Sequence, residues 1–509
     1  MPTLIGAPLT FDDVVRVAVH EDTVEIGPEV ADRMAPARRV IEDAIASGRT
    51  MYGVTTGFGG LSNVDIPRDE ATKLQRDIVR SHATAVGTPL PREVVRAMML
   101  LRARTFAFGV SGVRFEVLER FVALLNAKIH PVVPAQGSLG ASGDLALLAH
   151  LALPLMGEGT VEHQGRIIAA ADALGEAGIE PLELSFKEGL ALVNGTEAML
   201  ALGVLVCTRA ENLMTAADIA GAMTLEACLG TDAAFDARLI DLRKHAGPVA
   251  VAANLRKLLA GSAIVASHRH SDHLVQDAYS LRCMPQVHGA YRDGIAYVRT
   301  TLEAEMASAI DNPSVLPGTD EVVSGGNFHG EALGLALDHL GLCLTGFATI
   351  SERRVARLVD PELNNGLPAF LTPDPGRRSG FMLAQYTSAS LVSENRSLCF
   401  PASSDSIPTS AGQEDHVSMG ATSARKAAAI LANSEHAIAI ELLAAAQGLD
   451  LRAPLAPAPG TGAALGAVRA ISPRLDEDRP LSTEIEAVRD ELARGGIRDR
   501  TVEAIDDLA

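Results

Sequence analysis

Ala141-Ser142-Gly143 can become an electrophile that no single side chain supplies. If the Gly143 amide nitrogen attacks the Ala141 carbonyl carbon, a five-membered ring closes. Loss of two waters, one of them from the Ser142 hydroxyl, then leaves a methylidene-imidazolone. Each residue type suits its task. Ala141 keeps the attacked carbonyl uncrowded, Ser142 supplies the leaving hydroxyl, and Gly143 lets its nitrogen approach where a Cβ would obstruct it. Such a group is an electron sink, which an elimination that expels a poor leaving group needs.

The tripeptide lies in Gly137-Ser-Leu-Gly-Ala-Ser-Gly-Asp-Leu145, and this segment resembles the cofactor-forming segment of the histidine and aromatic amino-acid ammonia-lyases. Five further segments resemble that family in the right order. They are Tyr52-Gly-Val-Thr-Thr-Gly-Phe-Gly59, Val193-Asn-Gly-Thr196, the stretch from Val275 to Gly289, Gly325-Gly-Asn-Phe-His329, and Gln413-Glu-Asp-His-Val-Ser-Met419. Together they run from about residue 50 to 420. One departure is Leu147, where the family usually has Pro; Leu is the better helix former, and no chemistry is lost.

The resemblance implies a methylidene-imidazolone made from Ala141, Ser142 and Gly143, with no external cofactor. It makes Tyr52 the candidate base for the β-proton, a role that needs hydrogen bonds or positive charge to ease the phenol's ionisation. Arg282 matches the residue that pairs with the substrate carboxylate, for which a planar guanidinium is well shaped. Asn194 and Tyr279 match residues around the cofactor and the amino group, and Gln276 and Phe328 match positioning residues. Whether the amine or the ring of the substrate adds to the electrophile stays open; our reading favours the amine.

Two places bear on substrate. Ser81-His82, followed by Ala83, matches the pair typical of the histidine branch of the family. Glu414 stands where that branch carries Glu and the tyrosine and phenylalanine branches carry an amide. The physics agrees, since a carboxylate accepts an imidazole N–H strongly but lacks a partner beside a benzene ring. The expected reaction is therefore deamination of L-histidine to urocanate. Alternatives are a tyrosine or phenylalanine lyase, a 2,3-aminomutase, or an inactive oligomeric relative.

Bulk properties fit a globular enzyme. The chain has 509 residues, 47% hydrophobic and 21% charged, with a net charge of −19. That charge, without a basic run, argues against nucleic acid as a partner. Five scattered cysteines without a CxxC pattern suggest reduced thiols in the cytoplasm. The N-terminus lacks a signal-peptide pattern. Apolar runs such as 198–207 are too short to span a bilayer, so no membrane association is expected. His268-Arg-His-Ser-Asp-His273 has some metal-ligand character but lacks a recognisable zinc frame; it reads as a solvated loop, and no metal site is expected. His416 reads as a hydrogen-bonding neighbour of Glu414.

These residues need a scaffold. Helical spacing runs from Pro91 to Lys128, and Pro131 and Pro134 then stop the helix before the cofactor segment. Residues 196–229, 328–358 and 427–447 are long, Ala- and Leu-rich helical patterns, apolar on too much of their circumference for a surface. Thr483 and Glu486 have capping-box spacing ahead of a surface helix. The expectation is a mainly α fold, a long central helical bundle with a smaller mixed N-terminal region carrying the cofactor loop. By resemblance this belongs with the fumarase/aspartase-like superfamily. The expected division is 1–190, 191–450 for the bundle, and 451–509 for a linker and surface helix. The resemblance also implies a homotetramer whose active sites draw residues from several subunits.

Overall fold

The structure, a computed structural model, describes residues 2–67, 70–141, 143–271, 273–505 and 507–509. Helices dominate it, and the strands are short. The chain forms two compact units, each assembled from separate stretches. One takes Met1–Leu205, Arg299–Asp338 and Pro401–Arg425; the other takes Val206–Val298, His339–Phe400 and Lys426–Ala509.

The first unit is the mixed one. A parallel pair joins Thr3–Ile5 to Val24–Ile26, and an antiparallel pair joins Val86–Pro89 to Pro134–Gln136. A three-stranded sheet orders His130–Pro131, Thr160–His163 and Arg166–Ala169. Around them lie Phe11–Ala18, Val30–Ala46, Ala71–His82, Arg92–Ala107, Phe115–Asn126, Leu145–Ala152 and Glu188–Val193. The spacing between Pro91 and Lys128 therefore belongs to two helices. The break falls at Gly109, whose φ of +74° is left-handed and whose Cβ would stand 2.4 Å from the Arg33 carbonyl oxygen.

Arg92–Ala107 is buried along almost its whole length, which explains why it carries arginines inside. Arg96 donates to the carbonyls of Val17 at 2.8 Å and Leu125 at 3.2 Å. Arg102 donates to Glu197 Oε1 at 2.6 Å, and Thr105 Oγ1 reaches the same oxygen at 2.9 Å. A buried charge needs such partners. These bonds fix the first turn of the long helix Glu197–Ala227.

The second unit is almost entirely helical. It holds Ala246–Leu259, Met382–Leu398, Pro459–Arg469, Ser482–Ala493 and Gly496–Val502, together with parts of four long helices. Those four are Glu197–Ala227, Met284–Met306, Glu331–Val359 and Gly420–Leu451. In its core Arg354 makes a two-pronged pair with Glu441 at 2.5 and 2.8 Å. His288 Nδ1 lies 2.7 Å from Asp218 Oδ1.

Two expectations are corrected. Ser482–Ala493 begins after Leu481 with no side-chain cap, so Thr483 lies inside the first turn, while Glu486 bonds His436 and Arg489. Three helices, Glu197–Ala227, Glu331–Val359 and Gly420–Leu451, do have the length and apolar composition to cross a membrane. Short uninterrupted runs conceal this, because such a window tolerates an occasional charge. Of their apolar windows 78%, 72% and 72% is buried within the protein, so these faces already have apolar cover.

Candidate active site

The loop after Pro134–Gln136 is held from several sides. Ala141 is buried, and Ser142 lies outside the described residues. Gly143 forms a parallel backbone bridge with Gly195. Its φ is +73°, and a Cβ there would sit 1.9 Å from the Gly195 carbonyl oxygen, so no other residue fits. The next amide, Asp144 N–H, donates to that same oxygen at 2.6 Å. The Gly195 backbone thus packs directly against Gly143 and Asp144.

Asp144 joins this loop to the start of Glu197–Ala227. Its Oδ2 accepts the amides of Ala198 and Met199, each at 2.9 Å, which satisfies two otherwise free donors in the first helical turn. Ser138 Oγ lies 3.0 Å from Asp144 Oδ1. Burial pushes the Asp144 carboxyl up to about 7, against the opposing pull of these donors. Leu147 is buried within Leu145–Ala152, so the chain turns straight into helix after the loop.

A cavity of about 180 Å³ in the first unit is lined by Tyr52, Phe58, Gly59, His82, Leu145, Leu190, Asn194, Asn312, Ser410 and Glu414. Four of the expected residues, scattered over more than 360 positions, thus share one space. The Gly59 amide donates to the Tyr52 hydroxyl oxygen at 2.9 Å, fixing the phenol and placing a donor where negative charge would reside. Gly60 N–H donates to Ser410 Oγ at 3.0 Å, tying this loop to the 409–414 turn.

His82 ends the helix Ala71–His82, with Nδ1 2.8 Å from the Ile78 carbonyl oxygen. A carbonyl can only accept, so Nδ1 carries the proton and Nε2 offers a lone pair. Burial holds the His82 pKa below its ordinary value, while the Ile78 carbonyl and Glu414 pull it the other way. The ring packs 5.0 Å from Phe58, centroid to centroid. Ser81 instead turns its hydroxyl back to the Ile78 carbonyl at 3.1 Å and does not line the cavity. Phe328, half-buried in the turn before Glu331–Val359, does not line it either.

Asn194 is held by its amide nitrogen, which donates to the Asn312 carbonyl at 2.8 Å and reaches Asp311 Oδ1 at 3.4 Å. Its Oδ1 is buried and has no hydrogen-bond partner among the described residues. An unpaired buried carbonyl is costly in a finished structure, and it suits a ligand that brings a donor.

Gln276, Tyr279 and Arg282 line a different cavity, of about 330 Å³ in the second unit, with Asp277, Arg357 and Asn365 among its other walls. Arg282 Nε donates to the Asp277 carbonyl at 2.9 Å, and its guanidinium lies 4.7 Å from the Tyr279 ring centroid. The terminal guanidinium nitrogens have no hydrogen-bond partner among the described residues, which leaves them available to an anion. Tyr279 is 72% exposed and Val275 fully so, an unusual setting for large side chains with so much apolar surface. In the nearby loop, His268 and His273 place Nε2 on the carbonyls of Gly230 and Leu229 at 3.0 and 3.1 Å.

The sequence alone does not mark Leu190, Asn312 and Ser410 as residues of this cavity. Phe58 and Leu145 lie inside family-like motifs, but nothing in those motifs distinguishes a wall residue from a turn or helix residue. Asn312 and Ser410 carry no local signal, because they enter the site only through folding.

The model of the family described as "Aromatic amino acid lyase" matches residues 9–470. The chain is 50% identical over 513 residues to a histidine ammonia-lyase of Sorangium cellulosum (strain So ce56), covering 99% of this chain and 100% of that protein. Among solved structures, tyrosine aminomutase from Streptomyces globisporus is 39% identical, with a TM-score of 0.95 and complete coverage of both chains. Histidine ammonia-lyase from Trypanosoma cruzi is 41% identical, with a TM-score of 0.92, covering 100% of this chain and 96% of that one. With the motifs, the fold and near-complete coverage in agreement, the chain belongs to the aromatic amino acid lyase family.

Proposed function

We propose that this protein removes ammonia from L-histidine, leaving trans-urocanate. The observation that carries the reading is the first-unit cavity, where Tyr52, His82, Asn194 and Glu414 gather around one small space. The 50% identity to a histidine ammonia-lyase over nearly the whole of both chains supports the same choice.

The methylidene-imidazolone fits the residues present. Gly143 has no space for a Cβ against Gly195, and Asn194 Oδ1, one residue from that contact, is an acceptor without a partner among the described residues. Ala141, Ser142 and Gly143 would form the group, which when present supplies an electron-poor carbon that assists departure of the amine.

The remaining work falls to the side chains. Tyr52, steadied by Gly59, takes the β-proton onto its oxygen. The C–N bond breaks as the carbon–carbon double bond forms, and the amine departs as ammonia. Glu414 accepts an imidazole N–H and the His82 ring walls that end of the substrate, with Ser81 Oγ, 3.2 Å from His82 Nδ1, bracing the ring from behind. Asn194 and Tyr279 serve the amino end, Arg282 binds the carboxylate, and Gln276 and Phe328 position the whole. Arg282 and its neighbours line a separate cavity, so the reading includes a homotetramer in which neighbouring subunits complete each site. The exposed Val275 and Tyr279 are consistent with such burial. The proposed location is the cytoplasm.

The second reading, a tyrosine lyase or aminomutase, is favoured by the 39% identity to tyrosine aminomutase across the full chain. Incubating the protein with L-histidine, L-tyrosine and L-phenylalanine and identifying the products separates the two. Urocanate as the main product supports the first reading, whereas coumarate, cinnamate or a β-amino acid overturns it.

A further inference from the structure

Lys187 and Asp311 form an ion pair at 2.9 Å in which both side chains are wholly buried. The mechanism above does not use it. Lys187 stands just before Glu188–Val193 with a φ of +71°, in the left-handed region that a non-glycine residue rarely adopts. The other carboxylate oxygen, Asp311 Oδ1, accepts the Asn312 amide at 2.7 Å and faces the Asn194 amide nitrogen at 3.4 Å.

An asparagine amide has two unlike ends, a donating nitrogen and an accepting oxygen, and a half-turn about its last bond exchanges them. The nitrogen of Asn194 faces two acceptors, the Asp311 carboxylate oxygen Oδ1 and the Asn312 carbonyl. A flipped amide would set oxygen against oxygen at both. The carbonyl is therefore turned away from them, as the buried acceptor left without a partner among the described residues.

We propose that Lys187 and Asp311 are positioning residues that lock the Asn194 amide with its carbonyl toward the substrate amino group. Lys187 occupies Asp311 Oδ2, so that Oδ1 holds the Asn312 amide and faces the Asn194 nitrogen beside the Asn312 carbonyl; these acceptors together set which end of Asn194 the ligand meets. The inference rests on the ammonia-lyase reading, because it assigns the acceptor to an amine.

The test uses the full-length Ser142→Ala protein, in which binding is read without turnover. Two ligands are titrated by calorimetry: L-histidine, and 3-(imidazol-4-yl)propanoate, which lacks only the α-amino group. Asp311→Asn offers either end of its own amide to Asn194 and so releases the lock. It is expected to weaken L-histidine binding about tenfold or more, the scale of a lost hydrogen bond to a charged group. The des-amino acid should change by less than about twofold on the same scale. Equal weakening of both ligands, or of neither, would overturn the lock. Lys187→Met, which keeps the carboxyl and removes its cation, should show the same selectivity and serves if Asp311→Asn does not fold. Were another amino acid the one bound, the comparison runs with that acid and its des-amino form. The lock and the choice of histidine therefore fail separately.

Discussion

Thr409 holds Glu414 by one oxygen and leaves the other open. The Thr409 hydroxyl donates to Glu414 Oε2 at 2.8 Å, and the two residues also pair through their backbones. Glu414 Oε1 has no hydrogen-bond partner among the described residues, although Glu414 lines the same cavity as His82. Glu414→Gln keeps the shape and the Thr409 contact but loses the charge that strengthens a bond to an imidazole N–H. Its kcat/KM for L-histidine should fall about 10- to 100-fold, corresponding to about 1.5–3 kcal/mol. Steady-state kinetics check this, and an unchanged value would remove Glu414 from substrate recognition.

Gly143 and Gly195 approach too closely for a side chain at position 143. Gly143→Ala must either push the 194–195 backbone away or leave its left-handed conformation. The variant should lose about 1–3 kcal/mol of stability, and intact mass should show no loss of two waters. Full dehydration in a normally stable Gly143→Ala protein would contradict the proposed ring closure.

Asp144 serves as acceptor for the first turn of Glu197–Ala227. Asp144→Ala leaves the Ala198 and Met199 amides unpaired and should cost about 1–3 kcal/mol, lowering the thermal midpoint. Asp144→Asn retains a carbonyl oxygen and should recover much of that loss. If both variants unfold alike, the charge rather than the acceptor geometry is what matters.

Much of the scaffold is legible in the sequence. Glu331–Val359 and Gly420–Leu451 announce themselves because long Ala- and Leu-rich runs with few breakers have no other stable form. The Gly109 break is less visible, since a glycine within a helical pattern gains its meaning from the Arg33 backbone packed against it. The two- to four-residue strands leave too little alternation to detect. In the site, Tyr52, His82, Asn194 and Glu414 lie in motifs and meet in one cavity. Asn312 and Ser410 reach that cavity only through long-range closure, which local spacing does not encode.

His130 gives the fold a pH dependence of known sign. Its buried Nε2 lies 2.9 Å from an Arg96 N–H donor. Burial first, and then the Arg96 cation, push its pKa down to about 4. The unfolded chain, with an ordinary value near 6.5, binds the proton more readily, so stability falls as pH drops from about 6.5 toward 4. At pH 5 the contribution is a loss of about 2 kcal/mol. Between pH 7 and 5 the wild-type midpoint should therefore drop further than that of His130→Gln. Parallel decreases would show that His130 is protonated in the native state.

The most direct measurement follows urocanate from L-histidine by its ultraviolet absorbance, with the Ser142→Ala protein assayed beside the wild type. The account predicts steady urocanate formation by the wild type and its loss in the variant, which should bind L-histidine yet retain the mass of the two waters. Equal activity in both proteins would contradict an electrophile made from Ala141, Ser142 and Gly143. No urocanate from a folded, dehydrated wild type would contradict histidine as its substrate.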